Sequence, residues 1–121
     1  MQNFPDSPFA RSRSNVDRRE GPRYTFLALM ELTDTEGVMC IEGRLREISS
    51  KGCYVNTQST FPANTALRVV IARDEETFTS NGTVVYVHDG IGMGVVFVDT
   101  TKDQLEMLHS WLAGLAHTEM L

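Results

Sequence analysis

Between Tyr24 and Val98 the apolar positions come in short runs, mostly alternating with polar ones and broken by turn-forming residues. That is the pattern of consecutive β-strands with one buried face. Six segments carry it: YTFLALMEL, VMCIEGRLREI, GCYVNT, ALRVVIA, FTSNGTVVYVH and IGMGVVFV. In the second, Met39, Ile41 and Leu45 fall on one face and Glu42, Arg44 and Arg46 on the other. In the fourth, Leu67, Val69 and Ile71 oppose Arg68 and Val70. Turns are expected at residues 35–37, across Phe61-Pro62-Ala63-Asn64 and at His88-Asp89-Gly90, and Asn81-Gly82 signals a turn or a bulge inside the fifth run. Asp74-Glu75-Glu76 reads as a solvated hairpin loop.

After Thr100 the period changes. Leu105, Leu108, Trp111, Leu112 and Leu115 recur at steps of three and four, the stripe of an amphipathic helix whose apolar side belongs to the core. Thr100 or Thr101 supplies an N-cap, with Asp103 or Gln104 three residues on. Residues 1–17, with two prolines and little apolar periodicity, read as a flexible N-terminal arm, residues 18–117 as one domain and residues 118–121 as a tail. Six short strands with hairpin-length links, closed by a helix, predict an all-β domain with a C-terminal helix, a small antiparallel barrel or sandwich.

The 121 residues fit one domain with one modest core. The net charge of −5 is unevenly spread: residues 1–24 hold five arginines against three acids, while the remainder holds six basic and thirteen acidic residues. This asymmetry predicts a local anion site and excludes the broad basic face that a nucleic acid polymer needs. Cys40 and Cys53 make no disulfide framework and no Cys-x-x-Cys, and both read as small buried or half-buried apolar residues. His88, His109 and His117 show no metal-ligand spacing with them, so no metal is expected. No apolar run reaches the roughly 18 residues needed to span a bilayer and no secretory signal follows Met1, so a cytoplasmic location without membrane insertion is expected.

Catalytic constellations are not evident. Ser49, Ser50 and Cys53 have no histidine at a suggestive position, and Gly92-Met93-Gly94 lies inside a strand pattern, where it is expected to let a strand bend as a barrel closes. An enzyme is not expected. Two segments remain. Arg18-Arg19-Glu20-Gly21-Pro22-Arg23 places guanidinium groups on a loop stiffened by Gly-Pro, and such forks suit phosphate oxygens and stack on bases. Glu47-Ile48-Ser49-Ser50-Lys51-Gly52 joins two strands. There Gly52 admits a positive φ, and Glu47 and Ser49 are able to bond a nucleobase edge or the local backbone.

Arg19-x-x-x-Arg23 followed by Glu47-x-Ser49-x-x-Gly52 resembles the signature of the PilZ domain family, Arg-x-x-x-Arg and then Asp/Asn-x-Ser-x-x-Gly. Gly92-Met93-Gly94-Val95-Val96-Phe97 and the following helix are similar to the C-terminal part of that domain. The resemblance implies a six-stranded antiparallel β-barrel with a C-terminal helix and a bacterial receptor for the second messenger cyclic di-GMP, with no cofactor. Carried over by position, Arg18, Arg19 and Arg23 hold phosphates and guanines, while Glu47, Ser49 and Gly52 line the pocket from the other side. The arginine segment is then expected to fold over the barrel on binding and to signal to an effector protein, from a monomer or weak dimer. Glu47 departs from the family's Asp or Asn by one methylene. The alternative on the same fold is a ligand-independent protein-interaction module, related to motility or pilus assembly.

Overall fold

The computed structural model describes Tyr24 and residues 28–120, with side chains as far as Leu115. The strands are β1 (Leu29–Asp34), β2 (Cys40–Ile48), β3 (Gly52–Asn56), β4 (Ala66–Arg73), β5 (Glu76–His88) and β6 (Gly92–Val98), followed by one helix, α1 (Lys102–Met120). All pairings are antiparallel, in the order β1-β2-β3-β6-β5-β4, and β4 returns to pair with β1, so the sheet is a closed barrel. Closure leaves no strand edge for another chain to extend.

Alternation along the strands fills the barrel. Met30 and Leu32 of β1, Leu67, Val69 and Ile71 of β4, Cys53 and Val55 of β3, and Met93 and Val95 of β6 all point into one core. Burial holds the Cys53 thiol far above its usual titration range, so it behaves as an apolar side chain. Cys40, by contrast, is exposed at the start of β2, and Met39, expected on the inner face, is exposed just before it. Both lie beside the β1–β2 turn, where the alternation read from the sequence no longer faces the core.

Asn81-Gly82 is neither turn nor bulge. Leu67 pairs with Gly82 and Arg68 with Asn81 in unbroken register. Glycine stands there because a Cβ would lie 2.8 Å from Val95 Cγ1 and 3.0 Å from Val69 Cγ2 inside the barrel.

The helix packs by its first half. Leu108 and Trp111 are buried, and Trp111 and Phe97 both tilt against Phe78, with ring centroids 6.2 and 5.1 Å away respectively. Thr101 is the N-cap: its carbonyl accepts from Leu105 N at 2.9 Å, and its hydroxyl accepts from Gln104 N at 3.4 Å. Thr100 instead shares a 2.7 Å hydroxyl contact with Ser80. Gln104 Oε1 accepts from Thr79 N at 2.7 Å, and Trp111 Nε1 donates to Glu76 Oε1 at 2.6 Å, so polar bonds to β5 flank the apolar contact. Among the described residues no helix is long and apolar enough to cross a membrane.

Candidate functional site

Strict alternation cannot bury both Leu45 and Ile48, which are three residues apart on β2, yet both are in the core. The β2–β3 register slips between Leu45 and Glu47, and this bulge turns Arg46 and Glu47 both toward the outside. The same thing happens on β5. Val84 and Val87 both pack inward, and the β5–β6 register slips between Val84 and Tyr86, which leaves Val85 and Tyr86 outward. The two bulges face each other across β3 and β6.

Tyr54 of β3 and Gly94 of β6 lie between them: Glu47 pairs with Tyr54, Tyr54 with Gly94, and Gly94 with Tyr86. Gly92 and Gly94 are outward positions with no side chain, and the tyrosine rings occupy that space. A Cβ on Gly94 would lie 2.4 Å from Tyr86 Cε2, and one on Gly92 would lie 2.4 Å from Val55 O and 2.7 Å from the Tyr54 hydroxyl. The glycines therefore seat aromatic rings. Tyr54 and Tyr86 stack with centroids 5.9 Å apart, and His88 lies 5.6 and 5.2 Å from the two rings. The Tyr54 hydroxyl and His88 Nδ1 share a 2.8 Å hydrogen bond.

Charge borders this aromatic floor. The Arg46 guanidinium carbon stands 5.8 Å from the Tyr54 ring centroid. Tyr54 titrates above its usual range, chiefly because it is buried, with Arg46 pulling it down and Glu47 pushing it up. Glu47 is half-buried, and its Oε1 is shielded from water.

The β2–β3 turn follows. Ser49 is buried, and its N–H donates to Gly52 O at 2.9 Å. Its hydroxyl accepts from Lys51 N at 3.2 Å and donates to Gly52 O at 3.4 Å. Of the two roles open to it in the sequence, the local one is occupied; the oxygen keeps a lone pair. Gly52 pairs with Val96 in regular β conformation, without the positive φ that Gly37 and Gly90 adopt. Lys51 O accepts from Phe97 N at 2.9 Å, which ties the turn to β6.

Tyr24 also lies at this place. Its N–H donates to Ile48 O and its carbonyl accepts from Ile48 N, each at 2.9 Å. This bridge lies between Glu47 and Ser49, and Tyr24 directly follows Arg23 in the chain. Arg18, Arg19 and Arg23, like the arm assigned to residues 1–17, lie outside the described residues. Glu47, Ser49 and Gly52 are thus together at one end of β2 and β3, beside Tyr24. Sequence reasoning missed Arg46, Tyr54, Tyr86 and His88. A signal for them was present: apolar positions three apart within a strand, Leu45 to Ile48 and Val84 to Val87, betray a bulge. Among the described residues no group of three or more His, Cys, Asp or Glu is placed to hold a metal.

A family model for the PilZ domain matches residues 17–114, a span that includes Arg19, Arg23, Glu47, Ser49 and Gly52. No curated protein matches the chain in sequence. Among solved structures it is similar to the PilZ domain of CeSA from a cellulose-synthesizing bacterium, at 17% identity and TM-score 0.64, over 80% of this chain and 100% of that one. It is similar also to the PilZ domain of YcgR from Escherichia coli, determined with c-di-GMP, at 11% identity and TM-score 0.65, over 81% of this chain and 91% of that one. MrkH of K. pneumonia in its apo state aligns at 17% identity and TM-score 0.68, over 82% of this chain, which spans only 50% of MrkH. At such identities the likeness is one of fold. With the family model spanning both motifs and the barrel closing in the same way, this chain belongs to the PilZ domain family.

Proposed function

We propose that the protein is a cyclic di-GMP receptor that acts as an adaptor, a binding module and not an enzyme. The observation that carries this reading is the Tyr24–Ile48 bridge, which pairs the residue after Arg23 with the end of β2, between Glu47 on the strand and Ser49 in the turn. The ligand has two phosphates and two guanines. Arg19 and Arg23, with Arg18 beside them, take the phosphates through paired charge-assisted hydrogen bonds. The Tyr54–Tyr86–His88 floor offers a π surface for a base, and Glu47 accepts from a guanine N–H at its border. Hydrogen bonds to charged groups contribute about 1.5–3 kcal/mol each. Micromolar affinity needs about 8 kcal/mol, so several such bonds plus stacking suffice if ordering the arm costs only a few kcal/mol. Closure of the arginine segment over the barrel then presents a changed surface to an effector protein.

The test is a calorimetric titration of the full chain with cyclic di-GMP, wild type beside the double variant Arg19→Ala, Arg23→Ala. The expected result is micromolar or tighter binding by the wild type, weakened at least tenfold in the variant, with circular dichroism unchanged. A folded wild type that takes up no nucleotide overturns the reading and leaves a protein-interaction module in its place.

A further inference from the structure

We propose that Arg46 is a ligand-contacting residue of this site, a guanidinium carried by the barrel itself that grips the nucleotide's phosphate. The inference rests on the cyclic di-GMP reading and adds a residue that the two signature motifs do not contain.

Three features of the structure lead to it. The bulge makes Arg46 an extra residue on β2: Leu45 pairs with Val55 and Glu47 with Tyr54, leaving Arg46 without an opposite number on β3. A bulge re-aims a side chain, and this one puts Arg46 on the same outer face as Glu47, where a regular strand would have set neighbouring residues on opposite faces. Next, Arg46 is exposed, yet its guanidinium lies over a ring that is itself fixed. Tyr54 is only 5% exposed, its hydroxyl is bonded to His88, and Gly92 leaves the room it fills. A guanidinium resting on a held ring loses less freedom on binding an anion than one on a free stem, and its planar fork matches two phosphate oxygens. Last, Glu47 stands next in the chain and on the same face, and its carboxylate would repel a dianionic ligand. Arg46 offsets that charge from the barrel itself.

The role predicts a particular pattern among variants of the full chain titrated calorimetrically with cyclic di-GMP. Arg46→Ala binds about tenfold more weakly, as expected for the loss of one hydrogen-bonded charge pair at a partly exposed site. Arg46→Lys keeps the charge but not the fork and stays weaker than the wild type. Arg68→Ala, an exposed arginine on β4 across the barrel, binds as the wild type does. All three melt at the wild-type temperature within a degree or two, which separates contact with the ligand from support of the fold. Wild-type affinity in Arg46→Ala, alongside lost affinity in the Arg19→Ala, Arg23→Ala variant, overturns this inference and leaves the receptor reading standing. A Lys variant equal to the wild type refutes the stacked fork. A wild type that binds nothing removes both the reading and the inference.

Discussion

Gly92 and Gly94 are two residues apart on the same outward side of β6, and they face different obstacles. An added methyl on Gly92 meets Val55 O, a backbone atom of the neighbouring strand, as well as Tyr54, whereas on Gly94 its three nearest atoms all belong to the Tyr86 ring. Backbone in a closed barrel cannot retreat without breaking the ladder, but a half-buried tyrosine can swing outward. Gly92→Ala is therefore expected to lose about 1–3 kcal/mol of stability by chemical denaturation, the ordinary cost of overpacking. Gly94→Ala is expected to lose less stability while weakening cyclic di-GMP severalfold, because the displaced ring no longer completes the aromatic floor. Equal stability loss in both, with unchanged affinity in Gly94→Ala, contradicts that division. The motif residues were legible in the sequence because their chemistry is local: Ser49 and Gly52 close one turn, and Glu47 is next to last on the strand before it. Tyr54, Tyr86 and His88 were not, because they meet only when three strands are laid side by side.

At the level of elements, the apolar period located every strand and the helix, since each strand buries one face and α1 buries one stripe. It failed where the period itself is interrupted. Within VMCIEGRLREI the alternation carries Met39, Ile41 and Leu45 on one face but gives no place to Ile48, which reaches the core through an extra residue after Leu45. Asn81-Gly82 drew the opposite error, a composition signal for a turn in a strand that runs on without a break. The helix shows a similar separation of packing from propensity. Its contacts with β5 lie in the first half, through Gln104, Leu108 and Trp111, whereas at Gly114, among the described residues and outside the helix's own backbone, no atom comes within 4 Å of where a Cβ would project. Glycine inside a helix costs roughly 0.5–1 kcal/mol relative to alanine. Gly114→Ala is expected to raise stability by about that amount in thermal denaturation. A lower melting temperature in this variant shows that the position serves a close approach made by some other surface.

For the whole molecule, the proposed receptor surface is one face of a closed barrel and not the barrel as a whole. Its chemistry is gathered on one side: Tyr24 and the β2–β3 turn at one margin, Tyr54 and the two glycines in the middle, Tyr86 and His88 at the other margin. The wall formed by β4, β1 and the first half of β2 is different: Glu31 lies directly opposite Glu42, the exposed Arg44 and Arg68 balance their charge, and Leu29 is exposed beside them, so no aromatic floor and no net positive charge gather there. Backbone amide NMR of the full chain during a titration with cyclic di-GMP tests this most directly. The account predicts shifts concentrated at Tyr24, at Arg46–Tyr54 and at Tyr86–Gly94, with Glu31, Glu42 and Val70 unmoved. Shifts centred on the Glu31–Val70 wall, or none at saturating nucleotide, would contradict it.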